Sequence, residues 1–139
     1  MNISEVINAE PLLSAILLLA RLAIATVFLV SGIEKSINYA AAVAEFKREQ
    51  VPLLNVVLPA TIVLHLLASL ALISGLFVAE AALLLAVFLL AATIKVHSFW
   101  QMSGDDVVLH SRIAMANLAV LGGLLLLAVI GPGRYILFT

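Results

Sequence analysis

The sequence predicts an all-α membrane protein, an antiparallel bundle of four transmembrane helices in one membrane domain spanning residues 1–139. Of the 139 residues, 65% are hydrophobic and 11% are charged, whereas soluble domains are about half apolar and about a quarter charged. Four stretches are long and apolar enough to cross a hydrocarbon core of about 30 Å, which takes about 20 helical residues. Short connections between these stretches favour antiparallel neighbours.

The predicted spans are residues 12–33, 56–78, 81–100 and 113–130. Each is expected to be helical, because backbone polar groups inside a membrane must be bonded within the segment. Glycine, proline and polar residues end the spans, and only a tight turn near residues 75–80 separates the second from the third.

The first span has one feature of a cleaved secretory signal, the small-x-small sequence of residues 23–25. Residues 1–11 contain no Lys or Arg and carry Glu5 and Glu10, so the positive segment that opens a signal is missing. We therefore expect the first span to be retained as a transmembrane helix.

Residues 39–50, between the first two spans, combine alanines with a charged cluster at residues 45–49. One interpretation is a short amphipathic helix lying in the membrane interface. The other is a polar loop that happens to contain alanines. The apolar spacing favours the helix.

Charge at the ends of the spans predicts the orientation. An even number of spans places both chain termini on one side, with Arg134, and the two long loops on the other. The loop side carries Lys35, Lys47, Arg48 and Arg112. The positive-inside rule then places the loops in the cytoplasm.

Composition also limits the function. The net charge of −1 provides no field that would attract nucleic acid, so no nucleic-acid partner is expected. The chain has no cysteine, which excludes disulfides, thiolate nucleophiles and iron–sulfur ligation. Any redox role therefore requires a cofactor or a partner.

Ionisable and polar residues inside membrane spans are costly and are functional candidates by default. The candidates for ligand binding are Arg21, Glu34, Lys35, His65, Lys95, His97 and Asn117. All except Arg21 belong to the half of the bundle nearer the loops. They predict a polar vestibule that opens toward the loops.

Several of these candidates have a structural alternative. Glu34 and Lys35 are equally well explained as interfacial anchors or a local charge pair. Lys95 is long enough to extend to the membrane surface. His65 lies among leucines, where a buried imidazole needs a partner, either a ligand or a hydrogen bond from another helix.

Arg21 is the most anomalous residue, because it lies deep in the first span with no acidic side chain at its depth. Lys35 falls on the same helical face. Two cations along one face predict an acceptor from elsewhere: another subunit, a lipid head group, a quinone carbonyl or a carboxylate ligand.

The histidines do not form a recognisable cofactor motif. His65 and His97 differ in predicted depth by about 8 Å along the axis, which is poorly suited to a haem held by two histidines. A metal site that combines them with His110 or Glu34 has the right ligand types but no motif spacing. Within the third span, we expect Thr93, His97 and Trp100 to share a face that looks into the bundle, with Lys95 on the other side.

Several strings resemble the DoxX family of small four-helix membrane proteins. The first span carries Arg21 and ends in a serine-glycine-x-acid-lysine sequence at residues 31–35, and the third ends in a histidine-x-phenylalanine-tryptophan sequence at residues 97–100. Further matching strings occupy residues 70–77, 117–125 and 131–134. The resemblance covers almost the whole chain.

The resemblance implies a bacterial inner-membrane location, and for some members a role as the membrane subunit of a quinone-dependent oxidoreductase or in redox defence. This chain departs from the family pattern at three positions. His65 stands where relatives often have glutamate, Ala116 replaces a lysine, and Lys95 is an additional cation. Transfer of a functional role to His65 is therefore not supported by the resemblance.

Two functions from different classes fit these observations. In the first, the vestibule holds a quinone or a small anion while a redox-enzyme partner supplies electrons. Its residues in this hypothesis are Arg21, Glu34, Lys35, His65, Lys95 and His97. In the second, the protein is a non-catalytic scaffold or assembly subunit, and Gly32, Gly75 and residues 122–123 permit close packing against itself or a larger complex. No covalently bound cofactor is expected.

Overall fold

The computed structural model describes residues 3–137 and contains five α-helices. They are α1 (Ile3–Ile37), α2 (Tyr39–Arg48), α3 (Leu54–Ser74), α4 (Val78–Val96) and α5 (Asp105–Ile130). A single 3-10 turn, Phe99–Gln101, lies between α4 and α5. The described residues include no strand, which confirms the predicted all-α class.

Four helices are long and apolar enough to cross a membrane: α1, α3, α4 and α5. This agrees with the four predicted spans. The segment that follows the first span is the helix α2, so the helical interpretation of residues 39–50 is confirmed over the loop interpretation.

The helices differ from the predicted spans at their ends. α1 and α5 begin nine and eight residues before the apolar stretches, since polar residues extend a helix without adding hydropathy. Asp105 and Asp106 stabilise the start of α5, where the helix dipole favours negative charge. α3 ends at Ser74 because Gly75 adopts the left-handed conformation, with φ of 84°, that commonly terminates helices.

The four long helices share one core, and most of their large apolar side chains point outward. Leu72, Leu85 and Leu124 are completely buried, whereas Leu67 and Leu84 are more than half exposed. An outward apolar surface of this extent matches a lipid environment.

The bundle has two distinct ends. At one end, which we call the loop end, lie α2 and the connection from α4 to α5. At the other, the terminal end, the segment after α5 returns to the bundle, where the Leu137 amide donates to the Ser74 carbonyl oxygen at 2.8 Å. Arg134 and Glu10 form an ion pair of 2.6 Å there. The first and last parts of the described chain therefore meet at the same end, as an even number of spans requires.

Candidate functional site

A cavity of about 430 Å³ lies in the half of the bundle nearer the loop end, within the size range of small-molecule sites. We call it the main cavity. Apolar side chains from α1, α3 and α4 supply most of its wall. The polar and charged lining residues are Ser31, Lys35, Glu45, Glu49, Thr61, His65, Lys95, His97 and Asn117.

His65 is the most deeply buried ionisable group of this cavity, with 4% of its surface exposed. Its ring meets Phe28 and Phe88 edge to face, with centroid distances of 5.2 and 4.7 Å. Its Nδ1 lies 3.2 Å from the Ser31 Oγ. Its Nε2 is buried and has no hydrogen-bond partner among residues 3–137.

Ser31 also connects His65 to Lys35. The Lys35 Nζ donates to the Ser31 Oγ at 2.8 Å, as the spacing of one helical turn on α1 allows. Ser31 therefore lies between an amine and an imidazole, and the three side chains form one hydrogen-bonded chain along the cavity wall. No carboxylate of the described chain pairs with Lys35 or Lys95.

Two further polar pairs join α5 to the end of α4, and one member of each, His97 or Asn117, lines the main cavity. The His97 Nδ1 lies 3.0 Å from the His110 Nδ1, and the Asn117 Nδ2 donates to the Thr93 Oγ1 at 2.9 Å. Within residues 3–137, no group of three or more His, Asp or Glu side chains could hold a metal ion. The two histidines therefore have no third protein ligand of these types.

The predicted helical face of the third span is wrong at its end. α4 stops at Val96, and Trp100 belongs to the separate 3-10 turn with 58% of its surface exposed. His97 and Lys95 both line the main cavity, so the lysine does not point away from it. The helical spacing failed for Trp100 because α4 does not continue past residue 96.

A second, more polar cavity of about 330 Å³ adjoins the main cavity on the α2 side. Its polar lining residues are Glu34, Lys35, Asn38 and Glu45. Lys35 and Glu45 line both cavities, so they form the boundary between them. Glu34 lines the polar cavity only, and it is exposed there.

Arg21 does not belong to the vestibule. It is completely buried, and its guanidinium donates four hydrogen bonds to backbone carbonyl oxygens of this chain. The acceptors are Leu72 at 2.8 Å, Ile73 at 3.0 Å, and Pro132 and Tyr135 at 2.7 Å each. The prediction that its acceptor comes from a ligand, a lipid or another subunit is therefore wrong.

The end of α3 explains why an arginine is tolerated at this depth. The last four carbonyl groups of a helix have no partner within it. Here the Gly75 amide donates a hydrogen bond to the Ala71 carbonyl oxygen, and Arg21 donates to the carbonyl oxygens of residues 72 and 73. The Leu137 amide donates to the Ser74 carbonyl oxygen. Arg21 thus caps α3, where a cation also complements the helix dipole, and fastens the segment after α5 to it.

Several residues of the main cavity were not among the candidates predicted from sequence. Phe28 and Phe88 were not distinguishable from other core aromatics, because only the packing places His65 between them. Glu45 and Glu49, the residue that caps the end of α2, carried a usable signal, because a spacing of one helical turn would have placed both carboxylates on one face.

Comparison with known proteins supports this architecture. The family model for DoxX matches residues 16–98. The inner membrane protein YphA of Escherichia coli K12 is 28% identical over 125 residues, covering 90% of this chain and 87% of YphA. The inner membrane protein YqjF of the same organism is 32% identical over 118 residues, covering 85% of each chain. No solved structure matches this chain.

These relatives, together with four helices able to cross a bilayer, identify the chain as an integral protein of the inner membrane. The family match extends over more than half of the chain and includes most of α1 and all of α2, α3 and α4. The protein belongs to the DoxX family.

Proposed function

We propose that this protein is a quinone-binding membrane subunit, in which the main cavity holds the quinone while a redox-enzyme partner supplies electrons. The observation that carries the proposal is the chemistry of the cavity wall. Most of the wall is apolar and suits an isoprenoid or alkyl chain, and hydrogen-bond donors converge at Lys35 and His65. A quinone combines an apolar body with carbonyl oxygens that can only accept hydrogen bonds.

The unpartnered Nε2 of His65 supports this choice of ligand. A buried polar group without a partner costs about 1–3 kcal/mol, and a carbonyl oxygen would remove this cost. Since Lys35 has no carboxylate partner within the described chain, it is available as a second donor to the ligand.

The scaffold alternative has less support from the glycines that suggested it. A Cβ on Gly32 would lie 2.9 Å from the Leu66 Cδ2, and one on Gly123 would lie 3.0 Å from the Ile24 Cδ1. Gly75 packs against Arg21. These three glycines therefore permit contacts within the chain, and only Gly122 among the four faces open space.

Filling the cavity tests the proposal. We expect the purified protein to retain quinone through detergent extraction, and Ala92→Trp to lose most of it, because Ala92 lines the cavity and an indole would occupy the ligand's volume. Quinone is measured by lipid extraction and ultraviolet absorbance. Ile94→Trp is the matched control, since Ile94 lies two residues away on α4 and points outward with 54% exposed surface.

Equal quinone content in Ala92→Trp and Ile94→Trp would contradict binding in this cavity. Thermal unfolding of both variants in detergent shows whether a loss of quinone reflects loss of the fold.

A further inference from the structure

The hydrogen-bonded chain at the cavity wall begins at the polar cavity. Lys35 lines both cavities and is therefore the point at which the polar cavity of the loop end meets the apolar interior. From Lys35 the chain continues through Ser31 to His65, over contacts of 2.8 and 3.2 Å. It crosses from α1 to α3 and ends among aromatic rings.

The direction of these hydrogen bonds follows from the groups involved. A lysine ammonium has donors only, so the Ser31 Oγ accepts from Lys35. The hydroxyl hydrogen of Ser31 is then available for Nδ1 of His65, which leaves the ring proton of a neutral imidazole on Nε2. Nε2 is the atom with no partner in the described chain.

We propose that Lys35, Ser31 and His65 form a proton relay that carries protons from the polar cavity to an oxygen atom of the ligand in the main cavity. This inference rests on the proposed function, because a quinone must take up two protons with two electrons to become a quinol. His65 gives the Nε2 proton to a quinone oxygen, Nδ1 receives the Ser31 proton, and Ser31 receives one from Lys35. Water in the polar cavity then reprotonates Lys35. One passage supplies one of the two protons and leaves the ring proton on Nδ1, so the second passage follows after the ring has returned to the tautomer protonated on Nε2.

The packing around the relay favours this direction of transfer. Phe28 and Phe88 enclose the imidazole, and His65 is 4% exposed, so water has little direct access to the ring. The polar cavity, in contrast, is bordered by exposed Glu34 and Asn38. The relay is therefore the hydrogen-bonded connection between this polar region and the buried ring.

The test uses purified protein loaded with a short-chain ubiquinone, freed of excess quinone by gel filtration and reduced through a viologen mediator at the cathode of a divided cell, which supplies electrons without releasing protons. Loss of quinone absorbance gives the reduction rate, and a pH indicator in weak buffer gives the rate of proton uptake. We expect Ser31→Ala to retain quinone but to slow both rates at least about tenfold, since general acid catalysis contributes about 10²–10⁴-fold.

Ser36→Ala is the matched control. Ser36 lies on the same helix, donates to the Gly32 carbonyl oxygen at 2.8 Å and lines neither cavity, so both rates should stay at the wild-type value. Lys35→Met removes the outer donor at a less buried position and should reproduce the slow rates if Ser31→Ala does not fold.

The outcomes separate the two proposals. A wild-type protein that cannot be loaded with quinone overturns the proposed function and the relay together. Loaded Ser31→Ala and Lys35→Met proteins with wild-type rates overturn the relay and leave quinone binding standing.

Discussion

At the residue scale, the two most unusual side chains have different roles at different ends of the bundle. At the terminal end, the Arg21 guanidinium donates to four backbone carbonyl oxygens, whereas the Nε2 of His65 has no hydrogen-bond partner among residues 3–137. Sequence reasoning placed both in one vestibule because both are ionisable groups in apolar helices. What separates them is whether the fold already supplies their hydrogen-bond partners.

Replacing Arg21 tests its structural role. We expect Arg21→Leu to lower the free energy of unfolding by more than about 3 kcal/mol, because four carbonyl oxygens lose their donor. Arg21→Lys should recover only part of this, since one ammonium cannot reproduce the planar set of five donors. The measurement is denaturant or thermal unfolding in detergent.

Arg112→Leu provides the comparison, because Arg112 is exposed and its loss should change stability by less than about 0.5 kcal/mol. An Arg21→Leu protein as stable as Arg112→Leu would show that the cap contributes nothing.

At the element scale, close packing of α1 on α3 shapes the main cavity. Gly32 on α1 faces the backbone region of α3 at His65, where an added Cβ would lie 3.1 Å from the His65 Cβ. Ser31, the neighbouring residue, can therefore reach the imidazole. The close contact between α1 and α3 therefore fixes the positions of Ser31 and His65, which line the main cavity from these two helices.

A bulky residue at this contact should separate the two helices. We expect Gly32→Leu to destabilise the protein by about 1–3 kcal/mol, the usual cost of overpacking, and to weaken quinone retention because His65 is displaced. Gly122→Leu is the matched control, since nothing lies within 4 Å of an added Cβ there. Unfolding and quinone content are measured for both variants, and equal stabilities would argue against tight α1–α3 packing.

At the scale of the whole molecule, the bundle is divided into a structural end and a polar end. The terminal end contains the Arg21 cap and the ion pair between Glu10 and Arg134. The loop end contains both cavities and α2, whose Glu45 lines each of them. A ligand in the main cavity would therefore exchange protons with the side of the membrane on which the loops lie.

Cysteine labelling from either side of the membrane tests the topology. Lys47→Cys, at the loop end, should be labelled from the cytoplasm, as the positive-inside rule predicts. Asn2→Cys and Thr139→Cys, whose positions lie outside the described residues, should both be labelled from the opposite side, because four spans return the chain to its starting side. Labelling of Asn2 and Thr139 from different sides would contradict an even number of spans.

The sequence by itself determined the four spans and the concentration of polar groups toward the loops, and it favoured the helix α2 over a loop. These are local properties, because hydropathy sums along the chain. The tertiary structure decided which groups form hydrogen bonds and packing contacts with the polar side chains inside the bundle. Backbone carbonyls are present at every position, so nothing in the sequence marks those that bind Arg21. Likewise, only packing shows that His65 lies between two aromatic rings, with its Nε2 unpartnered among the described residues. A side chain's need for a partner can be read from its type, but the identity of that partner depends on contacts between residues distant in the chain.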